Sequence, residues 1–463
     1  MANNFFNVAT GLPLEYQHIV EGEMARRRLM SRAFKAYAGV PNSPMIPRNG
    51  EPDDSVNLAW ARLIVDKGAT WLFGRDLALE LTPGLRSERA EEWLKVAWPM
   101  ERRMLQLLKL ATNGGIAGHV FAKIVMEGEY PRLVIIDPLT VTPTFSPDDI
   151  ETVVRYKIQY PAVDPATGKP ITFTQVHAKN DGGTWTITDT TESERGNVIS
   201  RREYEWPFEF SQIIECQNLP APNEYWGEPD LNVEILDLID SAEEIATHTN
   251  KMVRIYANPV LWVAGLGFDD PSQGLDITPG GVVVLPDPEM RLNVVEPKAD
   301  IKGSLDLYAT MINDLHAFSQ IPKIATDATS GAQIGRASGS AMRYHYTPLI
   351  ERTETKRRTY GNLVTTIADR MLAVAGISTR GSVKVVWPEL VPDPMGDIQR
   401  AAALAQLGAS KDTVLRTAGF TDPAAEIAKA IEDGGVPTTI DLNTTPNVTA
   451  VVSDDLSDDD GVM

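Results

Sequence analysis

At 463 residues the chain exceeds the size at which a single core stops growing, roughly 250–300 residues, so two or three domains are expected. The 43 Lys and Arg face 63 Asp and Glu, for a formal charge of −20 and a pI near 4.8; tight duplex binders gather cations against phosphates, so stable DNA binding is disfavoured. The single cysteine, Cys216, excludes an intrachain disulfide and a Cys-based metal site, and the 43% hydrophobic content excludes a disordered chain.

Residues 1–14 lack a basic region followed by an apolar run, and no window reaches the roughly 18 apolar residues of a membrane span. The chain reads as soluble and unsecreted, in a reducing cytoplasm. Residues 15–38 predict a basic helix carrying Arg26, Arg27, Arg28, Arg32 and Lys35, closed by Gly39 and Pro41. That cluster, like Lys356, Arg357 and Arg358 later, reads as a solvated face or a subunit contact. Between residues 56 and 73, Leu58, Ala61, Val65, Ala69 and Leu72 recur at helical spacing, and Gly74 stops the run. A third helix is expected over about 87–113, ending at Gly114 and Gly115. The period then becomes that of strands, at 119–126, 132–136, 153–160, 172–176, 184–188 and 200–204, with turn signals at 166–168 and 181–183. Residues 1–228 thus form a mixed α/β region.

Pro229 can start a helix, and no further Pro or Gly interrupts the chain before Ala257. Leu231, Ile235, Leu238, Ala242, Ile245, Thr249, Met252 and Tyr256 step by four and three along it, making one packing seam. Asp230, Glu234, Asp237, Asp240, Glu243 and Glu244 occupy mostly other faces. Asn258 and Pro259 end this helix, and short strands at 260–264, 280–285 and 292–295 follow in a Gly/Pro-rich segment. Helix returns at 301–321, with Leu305, Tyr308, Ile312, Leu315 and Ser319 in a second stripe. Both stripes are narrow for helices of this length, so neighbouring copies are expected to bury the remainder. Pro322 closes the second helix, residues 323–340 read as a flexible loop rich in Gly, Ser and Ala, and a long helix over about 341–374 should kink at Pro348. A strand at 383–387, helices at about 395–407 and 411–433, and a disordered acidic tail complete the reading.

Motifs for chemistry are missing. The nearest approach to a P-loop, Thr167-Gly168-Lys169-Pro170, lacks the first glycine and the hydroxyl residue, and Asp270 stands where a dinucleotide-binding turn begun at Gly265 and Gly267 needs glycine. The six histidines include no pair within four residues, Ser338 sits one place out of a nucleophile elbow, and the adjacent carboxylates Glu243-Glu244 and Asp269-Asp270 are common in so acidic a chain. No catalytic residue, metal or cofactor is expected.

The order of segments resembles the portal proteins of tailed bacteriophages, the rings through which DNA enters the head and to which the tail attaches. The resemblance rests on Arg26-Arg27-Arg28 through Ala36-Tyr37-Ala38-Gly39, on residues 57–74 with an Asp-Lys-Gly-Ala run before Leu72-Phe73-Gly74, and on Gly118 through Ile136-Asp137-Pro138. It continues in residues 219–240 with Leu238-Ile239-Asp240-Ser241, and in Ser338-Gly339-Ser340-Ala341. The similarity covers about residues 15–430, and the order of the strings carries it.

The resemblance implies an α+β, portal-like fold and a ring of usually twelve subunits. A mixed α/β wing would cover 1–228, a long-helix stem 229–257 and 301–321, and a small β clip insert 258–300. A channel loop would cover 322–340, a long kinked helix and wing strand 341–390, a helical crown 391–434, and the disordered acidic C-terminal tail 435–463. Implied partners are double-stranded DNA passing through without sequence preference, the large terminase, a head-tail adaptor, the major capsid protein and scaffolding protein. No membrane is involved, and the ring would be assembled in the host cytoplasm and reside in the virion. A channel that moves a polyanion should avoid attracting it, because phosphate contacts turn passage into binding. Asp230, Glu234, Asp237 and Glu244 are therefore expected to line the channel, with Lys323 and Arg336 as the basic side chains of the loop. Leu231, Ile235, Leu238, Ile245, Leu305, Ile312 and Leu315 are expected to pack the stem, and Trp262, Phe268, Asp269 and Asp270 to make clip contacts. The rival readings are an acidic hydrolase or polymer-modifying enzyme and another virion shell protein.

Overall fold

A computed structural model describes residues 14–42, 55–82, 87–128, 130–257, 260–264, 291–295, 300–323, 339–377, 383–391, 394–420 and 426–429. Its elements in chain order begin with α1 (Leu14–Tyr37), α2 (Trp60–Phe73), β1 (Ala78–Leu81), α3 (Ser87–Ala97), α4 (Met100–Ala117), β2 (His119–Glu127) and β3 (Tyr130–Ile136). They continue as β4 (Val141–Ser146), β5 (Asp149–Val163), β6 (Pro170–Lys179), β7 (Trp185–Ser193), β8 (Val198–Trp206) and β9 (Ile213–Gln217). Then come α5 (Val233–Ala257), β10 (Val260–Ala264), β11 (Arg291–Val295), α6 (Ile301–Ser319), α7 (Gly339–Val374), β12 (Val383–Val386), α8 (Pro394–Gln406) and α9 (Lys411–Thr417).

The expected third helix is two helices. Pro99 divides them with extended backbone at ψ 152°, because a proline ring collides with the carbonyl four residues back and cannot continue α3. Pro348, by contrast, lies inside α7, which runs on through it. The last expected helix stops early, at Thr417, where Ala418 and the left-handed Gly419 close α9. The strand expected at 280–285, the loop at 324–338 and the tail lie outside the described residues.

Residues 1–328 with 346–390 make one compact unit, and residues 329–345 with 391–463 make another. In the first, β3-β2-β9 form an antiparallel sheet and β4 through β8 a five-stranded meander in sequence order. β1 pairs with β12 across some 300 residues of chain, Ala78 opposite Val386. Three cores result. One gathers Leu72, Phe73, Trp98, Leu107, Leu110, Ile124, Tyr360, Leu363 and Ile367 from α2, α3–α4, β2 and α7. A second joins α1, α2, α5, α6 and α7 through Ala33, Ile64, Val65, Leu231, Ile235, Leu236, Ile239, Leu315 and Leu349. A third lies between the two sheets, around Phe121, Tyr156, Trp185, Ile187, Trp206 and Ile213. In the second unit α8 and α9 pack together, burying Ala401, Ala402 and Val414, and Ser410 caps α9 by accepting from Thr413 N at 3.3 Å.

A polar chain runs between the sheets. Lys123 Nζ donates to Gln175 Oε1 at 2.9 Å, His177 Nε2 lies 3.0 Å from the same oxygen, and Gln175 Nε2 donates to Asp189 at 2.7 Å. Burial, and then the nearby Lys123 ammonium, lower the His177 pKa to about 3. The folded state therefore binds the proton less readily than the unfolded chain, and the stability His177 contributes is complete above pH 6.5 and lost as pH falls from there toward 3. A His177→Gln variant is expected to show a shallower loss of melting temperature than the parent between pH 6.5 and 4; parallel curves would remove His177 as the cause.

Candidate functional site

The two expected stem helices are α5 and α6, which pack side by side and are joined through the antiparallel β10–β11 pair, with Trp262 opposite Asn293. Phe268, Asp269 and Asp270 lie outside the described residues. α5 begins at Val233 rather than at Pro229, since Asn232 caps it, its side chain accepting from Ile235 N at 3.0 Å. Ile235, Leu236, Ile239 and Ala242 are buried on one face, with Leu238 and Ile245 half-buried at its margin. Each large apolar side chain buried there stabilises the fold by roughly 1.5–3 kcal/mol. On α6, Ile312, Leu315 and Ser319 are buried, while Leu305 on the same stripe is 52% exposed. The stripe thus enters the protomer core only toward the C-terminal end of α6.

Of the expected channel carboxylates, Glu234, Asp237 and Glu244 are exposed on α5. At 100° per residue they fall within about 80° of one another, away from the buried face. Asp237 is not independent, because Arg32 of α1 bridges it at 2.7 Å and Asp240 at 2.6 Å. Glu243, on the buried side, accepts from Leu58 N at 3.1 Å; burial, aided by Asp240 and opposed by that hydrogen bond, raises its pKa.

Asp230 requires a correction. It does not line a surface but is 2% exposed at the junction of α2, α4 and α7, just before α5. Lys356 Nζ lies 2.6 Å from Oδ2 and Arg352 Nη2 3.0 Å from Oδ1, and Asn218 Nδ2 donates to Oδ1 at 3.2 Å. Tyr360 OH in turn donates to Asn218 Oδ1 at 3.1 Å, and Asp230 N donates to Gly115 O at 2.7 Å. Burial alone would raise the Asp230 pKa, but the two cations and their hydrogen bonds outweigh it and lower it to about 2. Glycine at 68 and 115 makes the room: a Cβ there would stand 2.9 Å and 2.8 Å from Asp230 Oδ2. A carboxylate wired in this way fixes where α5 leaves the body of the protein.

The basic clusters are divided, some members engaged within the protomer and others solvated. Arg26 stacks over Trp226 at 3.6 Å, Arg27 donates to Thr142 Oγ1 at 2.6 Å, and both pair with Glu23. Lys356 is 3% exposed, and Arg357 donates to Pro388 O at 2.6 Å over the Trp387 ring. Arg28, Lys35 and Arg358 are exposed. Lys323, also exposed, borders a cleft beside α2 and α6, while Arg336 lies outside the described residues. Sequence reasoning placed Arg32 in the basic cluster without its Asp237 and Asp240 partners some 200 residues on, and missed Arg352 and Asn218, which meet Asp230 and Tyr360 across 122 and 142 residues.

Among the described residues no group of three or more His, Cys, Asp or Glu could hold a metal ion, and no helix is long and apolar enough to cross a membrane. Comparison with curated proteins gives no significant match. Among solved structures, the neck of an empty GTA particle, computed with C6 symmetry, is 15% identical over 88% of this chain and 99% of that chain, with a TM-score of 0.42. The family model of phage portal proteins of the SPP1 Gp6-like type matches residues 25–434. With nearly the whole sequence covered by that model, the chain belongs to the SPP1 Gp6-like phage portal proteins, structural components of the virion.

Proposed function

We propose that copies of this chain, usually twelve in this family, close into a ring at one capsid vertex and form the channel for DNA packaging and ejection. The observation that carries the reading is the division of α5 into a buried apolar face and an exposed acidic one bearing Glu234, Asp237 and Glu244. An acidic wall repels phosphate and lets the duplex slide, where a basic wall would bind it through released counterions. The segment 258–300 would meet the large terminase during filling and a head-tail adaptor afterwards. Residues 1–228 would meet the major capsid protein, and scaffolding protein would act during assembly in the host cytoplasm.

Glu234 and Glu244 are the residues to change, because reversing Asp237 would also set two cations against each other at Arg32. The double variant Glu234→Lys, Glu244→Lys is expected to assemble rings and to slow DNA translocation severalfold in a packaging assay with the cognate terminase. Translocation at the parental rate would remove these carboxylates from the channel wall. Loss of rings would place them in a subunit contact instead.

A further inference from the structure

Helix α6 carries two apolar faces. One, with Ile312, Leu315 and Ser319, is buried against the protomer core. The other is formed by Leu307, Met311 and Phe318, at steps of four and seven along the helix with exposed Asp314 beside them, and so lies roughly 100° around the helix from the first. Leu307 is 50% and Phe318 60% exposed. On the core side, next to the same stretch of α6, a cleft of about 590 Å³ opens between α2 and α6. Trp60, Leu63, Ile312 and His316 give it apolar walls, with Trp60 edge-on to His316 at 5.5 Å, and Arg62, Asp66 and Lys67 stand at its rim. Ala59, also in its lining, holds a left-handed φ of 53°, a conformation that costs of order 1–3 kcal/mol in a residue with a Cβ and that recurs where a surface is shaped for binding.

We propose that the Phe318 face of α6 in one subunit seats in the Trp60–Leu63–Ile312–His316 cleft of the next copy in the ring. The inference rests on the ring reading above and specifies how the ring closes. Three observations argue for a second copy as the occupant. The knob lies roughly 150° around α6 from Ile312 and His316, the residues this helix gives to the cleft, so the two surfaces are distinct, which is what a head-to-tail contact between identical subunits requires. Ile312, His316 and Phe318 fall within six residues, about 9 Å of helix, so repetition adds little rise along the helix and favours a closed ring over an open spiral. Charge is complementary too: exposed Asp314 flanks the knob, and Arg62 and Lys67 flank the cleft, Arg62 also donating to Tyr37 O and Asp66 accepting from Tyr37 OH at 2.9 Å. An acidic stretch of another protein would satisfy the rim but leave the Phe318 face of every subunit exposed.

The test pairs Phe318→Cys with Leu63→Cys in the full chain and treats the assembled protein with a short bismaleimide. The expected result on a denaturing gel is a ladder of covalent multimers from the double variant, and monomers from either single variant. Phe318→Ala provides the second measurement, with an expected tenfold or greater rise in the protein concentration at which rings form and an unchanged melting temperature for the monomer. Rings that form at the parental concentration in Phe318→Ala, or that give no ladder in the double variant, overturn this contact while leaving the ring itself intact. If the unmodified protein forms no rings at any concentration, the channel reading fails and this contact with it. A double variant that stays folded but monomeric, where Leu63→Cys alone assembles, supports the contact, since the loss is then traced to Phe318.

Discussion

Replacing Lys356 with methionine is expected to lower the unfolding free energy by about 3 kcal/mol, near the lower end of what removing one partner of a buried ion pair costs. The value is not larger because Arg352 and Asn218 still hold Asp230. The cost arises from leaving a carboxylate, 2% exposed, without its closest cation, rather than from losing the net worth of the pair, which is small once both desolvations are counted. Adding Asp230→Asn to Lys356→Met should therefore recover part of the loss, and a double-mutant cycle read by urea unfolding measures the coupling. Additive effects would contradict the description of the pair as one unit. The pH dependence has a definite sign. Since the folded pKa of Asp230 is lowered to about 2, the stability it contributes is complete above the unfolded value near 4 and is lost as pH falls from there toward 2.

Gly118→Ala is expected to be comparably damaging, at about 2–4 kcal/mol, for a different reason. Gly118 ends α4 with φ 79°, where an L side chain costs roughly 1–2 kcal/mol. A Cβ there would also overlap Gly227 O and stand 2.9 Å from Pro229 N. Its carbonyl is already committed, accepting from Asn218 N at 2.8 Å, so neither strand of backbone can withdraw without breaking the β2–β9 end of the sheet or moving the lead into α5. Gly376→Ala is the control: its φ is 73° but nothing lies within 4 Å of the added carbon, so only the conformational cost should appear. Equal losses at the two positions in thermal or urea unfolding would show that the close approach to Gly227 contributes nothing.

Both sites lie where local pattern is silent. The helices were legible to within a few residues because an apolar stripe and a Gly or Pro stop act over one or two turns: α2, α5, α6 and α7 follow from Leu72 and Gly74, from the seam through Ile235 and Ala242, and from Pro322. Strands β5 to β8 of the meander were legible for the same local reason, β5 and β6 each being followed by a turn signal. β1, β4 and β9 were not, and β1 finds its partner only across some 300 residues. Pro99 was legible but went unused. Asp230 shows the deeper limit: in an acidic run ahead of a helix it looks like one more solvated carboxylate, and only the fold brings Lys356 and Arg352, more than 120 residues on, to neutralise it. Glu234 and Glu244, by contrast, could be placed on the outer face from helical period alone, because nothing distant overrides it there.

The ring is the claim on which channel, stem and inter-subunit contact all depend. Electron microscopy of the purified full-length protein, without terminase or capsid protein, tests it most directly. Closed rings with a central hole, each built from many copies related by rotation about the hole, are the expected result. Monomers persisting at high concentration, or closed shells and flat sheets without a central hole, would contradict it.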